Sequence, residues 1–254
     1  MCLIFFSVNH HPRYRLVIAG NRDEFYKRKT APADFWPEAP HVLAGRDLEA
    51  NGTWLGISRK GQVSLLTNFR DPKNINPAAP SRGHLVSDFL LGDADGMDYI
   101  HKVEQIGNRY NGFNLIAGTP GSLWYYSNYG SGVQQVPVGI HGLSNHLINT
   151  PWPKVVNGKK QFEAHLNANT IEPEQLLDFL YDDRVASDDQ LPDTGVGLER
   201  ERMLSSMFIK SPEYGSRSST VILVDHNNHV QFVERVYDLA TFAHTTRSFE
   251  FDVD

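Results

Sequence analysis

The chain opens MCLIFFSVNH, residues 1–10, and the reading of this stretch decides the fold. Residues 2–8 form an apolar run, interrupted by Ser7 alone, that Asn9 and His10 end. The run is far short of the roughly 20 apolar residues that cross a bilayer. A second apolar run, RLVIA at Arg15–Ala19, follows the polar NHHP and stops at Gly20. Two β-rich runs joined by a short polar turn predict a hairpin. Their near-continuous apolar character predicts a sheet covered on both faces. The only cysteine, Cys2, stands at the head of the first run.

Working outward, the composition is that of a soluble globular protein, with 40% hydrophobic and 21% charged residues. No linker divides the 254 residues, so a single domain over 1–254 is expected. The net charge of −6, with no block of Lys or Arg, argues against sequence-independent nucleic-acid binding. One cysteine excludes an internal disulfide and permits a reducing compartment. No basic segment precedes the first apolar run, as a secretory signal would need. No stretch is long and apolar enough to span a membrane. A cytoplasmic protein is expected.

Further hairpins are predicted at Thr53–Ser58 with Val63–Thr67, and at Ser219–Asp225 with Val230–Arg235. Strands are also predicted at Phe113–Ala117, Leu123–Ser127 and Val133–Val138. The spacing of apolar residues predicts helices over Ser81–Leu91, capped by Ser81, and over Met97–Ile106. Two more are predicted over Pro153–Leu166, with Val155, Val156 and Phe162 inward, and over Pro173–Leu180. Tyr181–Gly197 is acidic and rich in Pro and Gly, a loop or lid candidate. Strand pairs, then helices, then strands predict an α+β layered fold with largely antiparallel sheets.

Cys2 suggests N-terminal nucleophile chemistry. Removal of Met1 would leave one residue carrying a thiol and a free α-amine, with pKa values of about 8.5 and 7.7–8.0. Nucleophile and base would then titrate near neutrality in one residue. The alternative is that Cys2 is a small apolar residue starting a buried strand. Both readings stand at this point.

Six ordered blocks carry a family resemblance: MCLIFF, AGNRDEFYKRKTAP (Ala19–Pro32), AGRDLEANGTWLGIS (Ala44–Ser58), LTNFRDP (Leu66–Pro72), GLSNHLINTPWPKV (Gly142–Val155) and YGSRSSTVILVD (Tyr214–Asp225). The chain resembles the NRDE family, also called the transport and Golgi organisation protein 2 family, named for the tetrapeptide that here is Asn21–Glu24. That family is similar to the N-terminal nucleophile (Ntn) hydrolases, near the bile-salt hydrolases and penicillin V acylases. The resemblance implies a four-layer αββα sandwich. It maps the nucleophile onto Cys2, and an Arg and an Asp onto the Asn21–Glu24 segment: Arg22 and Asp23 by residue type, or Asn21 and Glu24 by the relatives' spacing of three. Neighbours on an extended chain point to opposite faces, so Arg22 and Asp23 both reach Cys2 only where the backbone turns. The oxyanion donor maps onto Asn145, with Asn68 second, and Arg217 resembles an arginine near the active site. Trp54 and Trp152 fall inside matching blocks and are candidate pocket walls.

The resemblance also implies a carrier of haem or a similar hydrophobic metabolite, with haem as cargo and a small hydrophobic ligand as partner. Such a site needs an apolar slot and an axial ligand. Cys2 and His146 are the candidates, whereas His10 and His11 read as an exposed turn. His226 and His229 flank an Asn-Asn turn and are rejected as a metal pair, and no zinc motif is present. Two functions remain open: a binding and trafficking protein for haem or a similar metabolite, and a Cys2 hydrolase or acyltransferase acting on an amide or thioester.

Overall fold

The computed structural model describes residues 2–168 and 171–253. Its strands are β1 (Cys2–Val8), β2 (Tyr14–Phe25), β3 (Thr30–Trp36), β4 (Ala39–Asp47), β5 (Leu55–Ser58), β6 (Val63–Asn68), β7 (Phe113–Thr119), β8 (Ser122–Ser127), β9 (Gln134–Gln135), β10 (Gly139–Leu143), β11 (Tyr214–Asp225), β12 (His229–Tyr237) and β13 (His244–Asp252). The helices are α1 (Gly83–Leu91), α2 (Gly96–Ile106), α3 (Pro153–Leu166), α4 (Pro173–Leu180) and α5 (Leu198–Leu204).

The strands form two antiparallel sheets, one of six strands in the order β10-β1-β2-β11-β12-β13 and one of seven in the order β3 to β9. Alternation along each strand sorts the apolar residues into three clusters. Cys2, Ile4, Phe6 and Val8 face the second sheet, where they meet Trp54, Ile57 and Leu65. Leu3 and Phe5 face the other way and pack beneath α3 and α4. Leu115, Ala117 and Tyr126 carry the seven-stranded sheet onto α1 and α2. The result is the expected αββα sandwich. Phe5 and Phe6, neighbours on opposite faces, are both fully buried. Each contributes about 1.5–3 kcal/mol to its layer.

Several expectations are corrected. β2 does not stop at Gly20 but runs on through the NRDE segment to Phe25. Gly20 is there because a Cβ would sit 2.9 Å from the Leu3 carbonyl oxygen and Ile4 Cγ1, on the paired strand. β3 and β4 were not foreseen, because Pro32, Pro37 and Pro40 demote the segment. β3 tolerates Pro32 as an edge strand with a register shift between Ala31 and Asp34. β10, α5 and β13 were also missed. The strand expected over Val133–Val138 shrinks to Gln134–Gln135. Ser81 does not cap α1, whose N-cap is Arg82 with no side-chain capping bond. Val156 is 37% exposed rather than inward, while Val155 and Phe162 are buried. The acidic 181–197 segment contains a single turn of 3-10 helix at Asp188–Gln190.

Candidate functional site

The first two strands place the site. Cys2 pairs with Arg22 in the β1–β2 ladder, so both side chains leave the same face, toward the second sheet. They border a cleft of about 310 Å³ together with Glu24, Trp54, Asn68 and Arg82. That volume is at the lower end of the roughly 300–1,000 Å³ typical of ligand sites. The Arg22 guanidinium lies over the Trp54 indole, 4.0 Å from the ring centre, and donates to Thr30 Oγ1 at 3.1 Å. Arg28 is held on Asp47 at 2.5 Å. Among the described residues, Arg22 and Arg82 are in no ion pair. Arg82 instead donates to the Gly112 carbonyl at 2.8 Å. The cleft is therefore charged, with two guanidinium groups beside the only thiol.

Burial pushes the Cys2 thiol above its ordinary pKa, and the Asp23 carboxylate adds to the effect. Arg22 and the Asp23 backbone N–H pull the other way by favouring the thiolate. Burial alone would lift the Glu24 carboxyl as well. The Phe25 N–H at 2.8 Å and the guanidinium groups of Arg22 and Arg28 help to hold it below the usual carboxylate range.

The chain stays extended through Asn21–Phe25, and alternation separates the tetrapeptide. Arg22 and Glu24 face the cleft. Asn21 turns to the helical layer, donating to the carbonyls of Leu180 and Met207 and accepting from Ser219. It fastens the end of α4 to the sheet and does not line the cleft. Asp23 borders the cleft, and its carboxylate accepts from Ser216 Oγ on β11 at 2.6 Å. Burial raises its pKa.

The remaining candidates divide. Asn68 lines the cleft, and Asn145 sits behind it, its Nδ2 donating to the Asn68 carbonyl at 3.1 Å. Arg217 braces the β2–β3 turn through the carbonyls of Phe25, Tyr26 and Arg28. It borders a smaller cavity of about 90 Å³ on the far side of Arg22 and Trp54. His146 and Trp152 line neither cavity. The His146 ring lies 4.8 Å from Phe69 and 5.8 Å from Trp152, and its Nδ1 meets Thr150 Oγ1 at 2.9 Å. Burial lowers the His146 pKa. Cys2 is thus the haem-ligand candidate that borders the cleft. The removal of Met1 lies outside the described residues. Among the described residues, no three His, Cys, Asp or Glu side chains gather where they could hold a metal ion. No described helix is long and apolar enough to cross a membrane.

Arg82, Arg28 and Asp47 were missed in the sequence. A signal existed for Arg82: a cation at a helix N-terminus opposes the helix dipole, which marks it as placed for something else. Arg28 and Asp47 carried no signal beyond lying in matching blocks.

Residues 1–239 match the family described as Transport and Golgi organisation 2. The Mus musculus Transport and Golgi organization 2 homolog is 39% identical over 277 residues, covering 99% of each chain. The Homo sapiens homolog is 40% identical over 273 residues, again covering 99% of each chain. Among solved structures, a Caenorhabditis elegans N-acylethanolamine-hydrolyzing acid amidase ortholog superposes with a TM-score of 0.51 at 10% identity, over 87% of this chain and 92% of that one. The mutant C2A conjugated bile acid hydrolase from Clostridium perfringens gives a TM-score of 0.50 at 8% identity, over 99% and 92%. These two likenesses establish the Ntn-hydrolase fold.

Proposed function

This chain belongs to the Transport and Golgi organisation 2 family, and from that premise and the charged Cys2 cleft we propose that it is a cysteine-nucleophile hydrolase or acyltransferase acting on an amide or thioester. One observation carries the reading: Cys2 opens on a ligand-sized cleft directly across the strand pair from Arg22. The sulfur adds to the substrate carbonyl carbon, and the carbonyl electron pair moves to oxygen. Asn68 lines the cleft, its main-chain carbonyl held by Asn145, and its side-chain amide is our choice of donor to that oxyanion. Collapse expels the amine or thiol, which takes up the proton that left the sulfur. Water, or a second acceptor, then releases the acyl group from Cys2. Arg22 and Arg82 suit an anionic group on the substrate. The base is the Cys2 α-amine once Met1 is removed.

The test is intact mass after incubation with a panel of acyl amides and acyl thioesters. Loss of Met1 and an acyl adduct on Cys2, absent in Cys2→Ala, are expected. A processed chain that gains no adduct and turns over no member of the panel overturns the reading.

A second reading, binding and trafficking of haem or a similar flat metabolite, is favoured by the Trp54 wall and by Arg22 and Arg82, which among the described residues are in no ion pair and which match carboxylates. Titration with haem separates the two. The carrier reading requires a Soret shift that Cys2→Ala removes and His146→Ala leaves intact.

A further inference from the structure

We propose that Arg70 is a positioning residue for acyl transfer at Cys2, holding the Asn68 wall of the cleft in place through Asn145. The inference deepens the nucleophile reading above and rests on it.

A chain of contacts runs from a buried ion pair to the cleft. Asn145 clamps the main chain on both sides of Phe69. Its Nδ2 donates to the Asn68 carbonyl at 3.1 Å, and its own carbonyl accepts from the Arg70 N–H at 2.7 Å. The Asn145 side-chain oxygen accepts from Ser144 Oγ at 3.3 Å and faces Arg70 Nη2 at 3.5 Å. Arg70 Nη1 in turn is paired with Glu201 on α5 at 2.7 Å. The other Glu201 oxygen accepts from the N–H and Oγ1 of Thr194, at 2.8 and 2.5 Å, so the carboxylate is fixed as well.

This arrangement selects one orientation of the Asn145 amide. A guanidinium has donors only, so it attracts the amide oxygen and repels the amide NH2. A flipped amide would set its oxygen against the Asn68 carbonyl and its NH2 against Arg70. The correct orientation fixes the main chain that carries the Asn68 side chain along the cleft. Displacing a group at a reacting centre by about 1 Å can cost on the order of 10²-fold in rate.

Stability does not account for the ion pair. The side chains of Arg70 and Glu201 are 5% and 4% exposed. Among the described residues, the buried Arg70 Nε has no hydrogen-bond partner. Desolvating two charges offsets most of their attraction, and apolar residues of similar size would fill a core as well. Apolar residues would not supply a donor aimed at the Asn145 oxygen. Nor does the pair set the state of the thiol, on which the N-terminus, Asp23 and Arg22 are the charges that act most.

Arg70→Met combined with Glu201→Gln leaves neither partner's charge buried alone and keeps an acceptor for Thr194. The parent, this double variant, Asn145→Ala and the chain with all three substitutions are treated with S-phenyl thioacetate and, separately, with iodoacetamide. Modification of Cys2 is timed by peptide mass spectrometry. In the first reaction the sulfur takes the acetyl group, phenylthiolate leaves and the thiol proton passes to the base. The second forms no oxyanion. Acetylation is expected to be about tenfold slower in the double variant, with alkylation unchanged. The chain with all three substitutions is expected to match Asn145→Ala, because residues that act through one another are not additive. Unchanged acetylation, an equal fall in both reactions, or a further tenfold loss on adding the double substitution to Asn145→Ala overturns the proposal. A parent that takes no acetyl group on Cys2 overturns the nucleophile reading, and this proposal with it.

Discussion

Cys2 and Arg22 face each other because a strand pair puts registered residues on the same side of the sheet. From there the local field sets the chemistry. Burial raises the Cys2 thiol above its ordinary pKa, against the opposing pull of the N-terminal ammonium, Arg22 and the Asp23 N–H. Alkylation of Cys2 by iodoacetamide is therefore expected to rise with pH through a midpoint above that of free cysteine, about 8.5. A midpoint at or below 8.5 would mean that the guanidinium groups outweigh burial. At this scale the nucleophile candidate and Arg22 were legible, Cys2 from its position and Arg22 from the family tetrapeptide. The split within Asn21–Glu24 follows from strand alternation once the strand is known to continue. His146 and Trp152 were not separable from cleft residues, because adjacency in sequence to Asn145 says nothing about which wall a loop side chain joins.

At the scale of elements, α3 depends on one residue without a side chain. A Cβ at Gly158 would collide with the ring of Phe5, which is fully buried. That ring is hemmed in by Phe162 at 6.1 Å and Phe179 at 5.4 Å, so it has nowhere to retreat. Ala at a helix interior gains up to about 1 kcal/mol of propensity over Gly. Overpacking a tight core costs about 1–3 kcal/mol. Gly158→Ala is expected to destabilise by roughly 1–2 kcal/mol in urea unfolding, and a stabilised variant would show that the Phe5 ring can move. The limits of α3 and α4 were read correctly because Pro at the first turn and apolar spacing both mark them. β2 was cut short because its second half buries polar side chains, and an apolar run no longer reports the strand. Asn21, Arg22 and Asp23 are all buried there.

For the whole molecule, the question is what joins the two sheets at the site. Glu234 on β12 accepts from the Ala33 N–H on β3 at 2.6 Å, a bond from one sheet to the other. Burial pushes its carboxyl up to about 7 from an ordinary 4.5. The unfolded chain therefore releases this proton near pH 4.5, while the folded chain keeps it to about 7. Between those values the unfolded state binds fewer protons, so this group's contribution to stability falls as pH rises. The loss is on the order of 3 kcal/mol across the window. Glu234→Gln stays neutral, and its melting temperature relative to the parent is expected to rise from pH 4.5 to 7. A flat difference would place the folded carboxyl at its ordinary value.

By itself the sequence determined the layered α+β class, the hairpins that bring Cys2 to a sheet end, two of the helices to the residue, and the family through six ordered blocks. Those properties are local: they depend on alternation, turn chemistry and short motifs. Only the tertiary structure decided which side chains share the cleft. It brought Arg82 in from a helix start, set Asn145 behind Asn68, and left His146 and Arg217 outside. Cleft membership depends on distances between segments far apart in the chain, and no local periodicity encodes those distances.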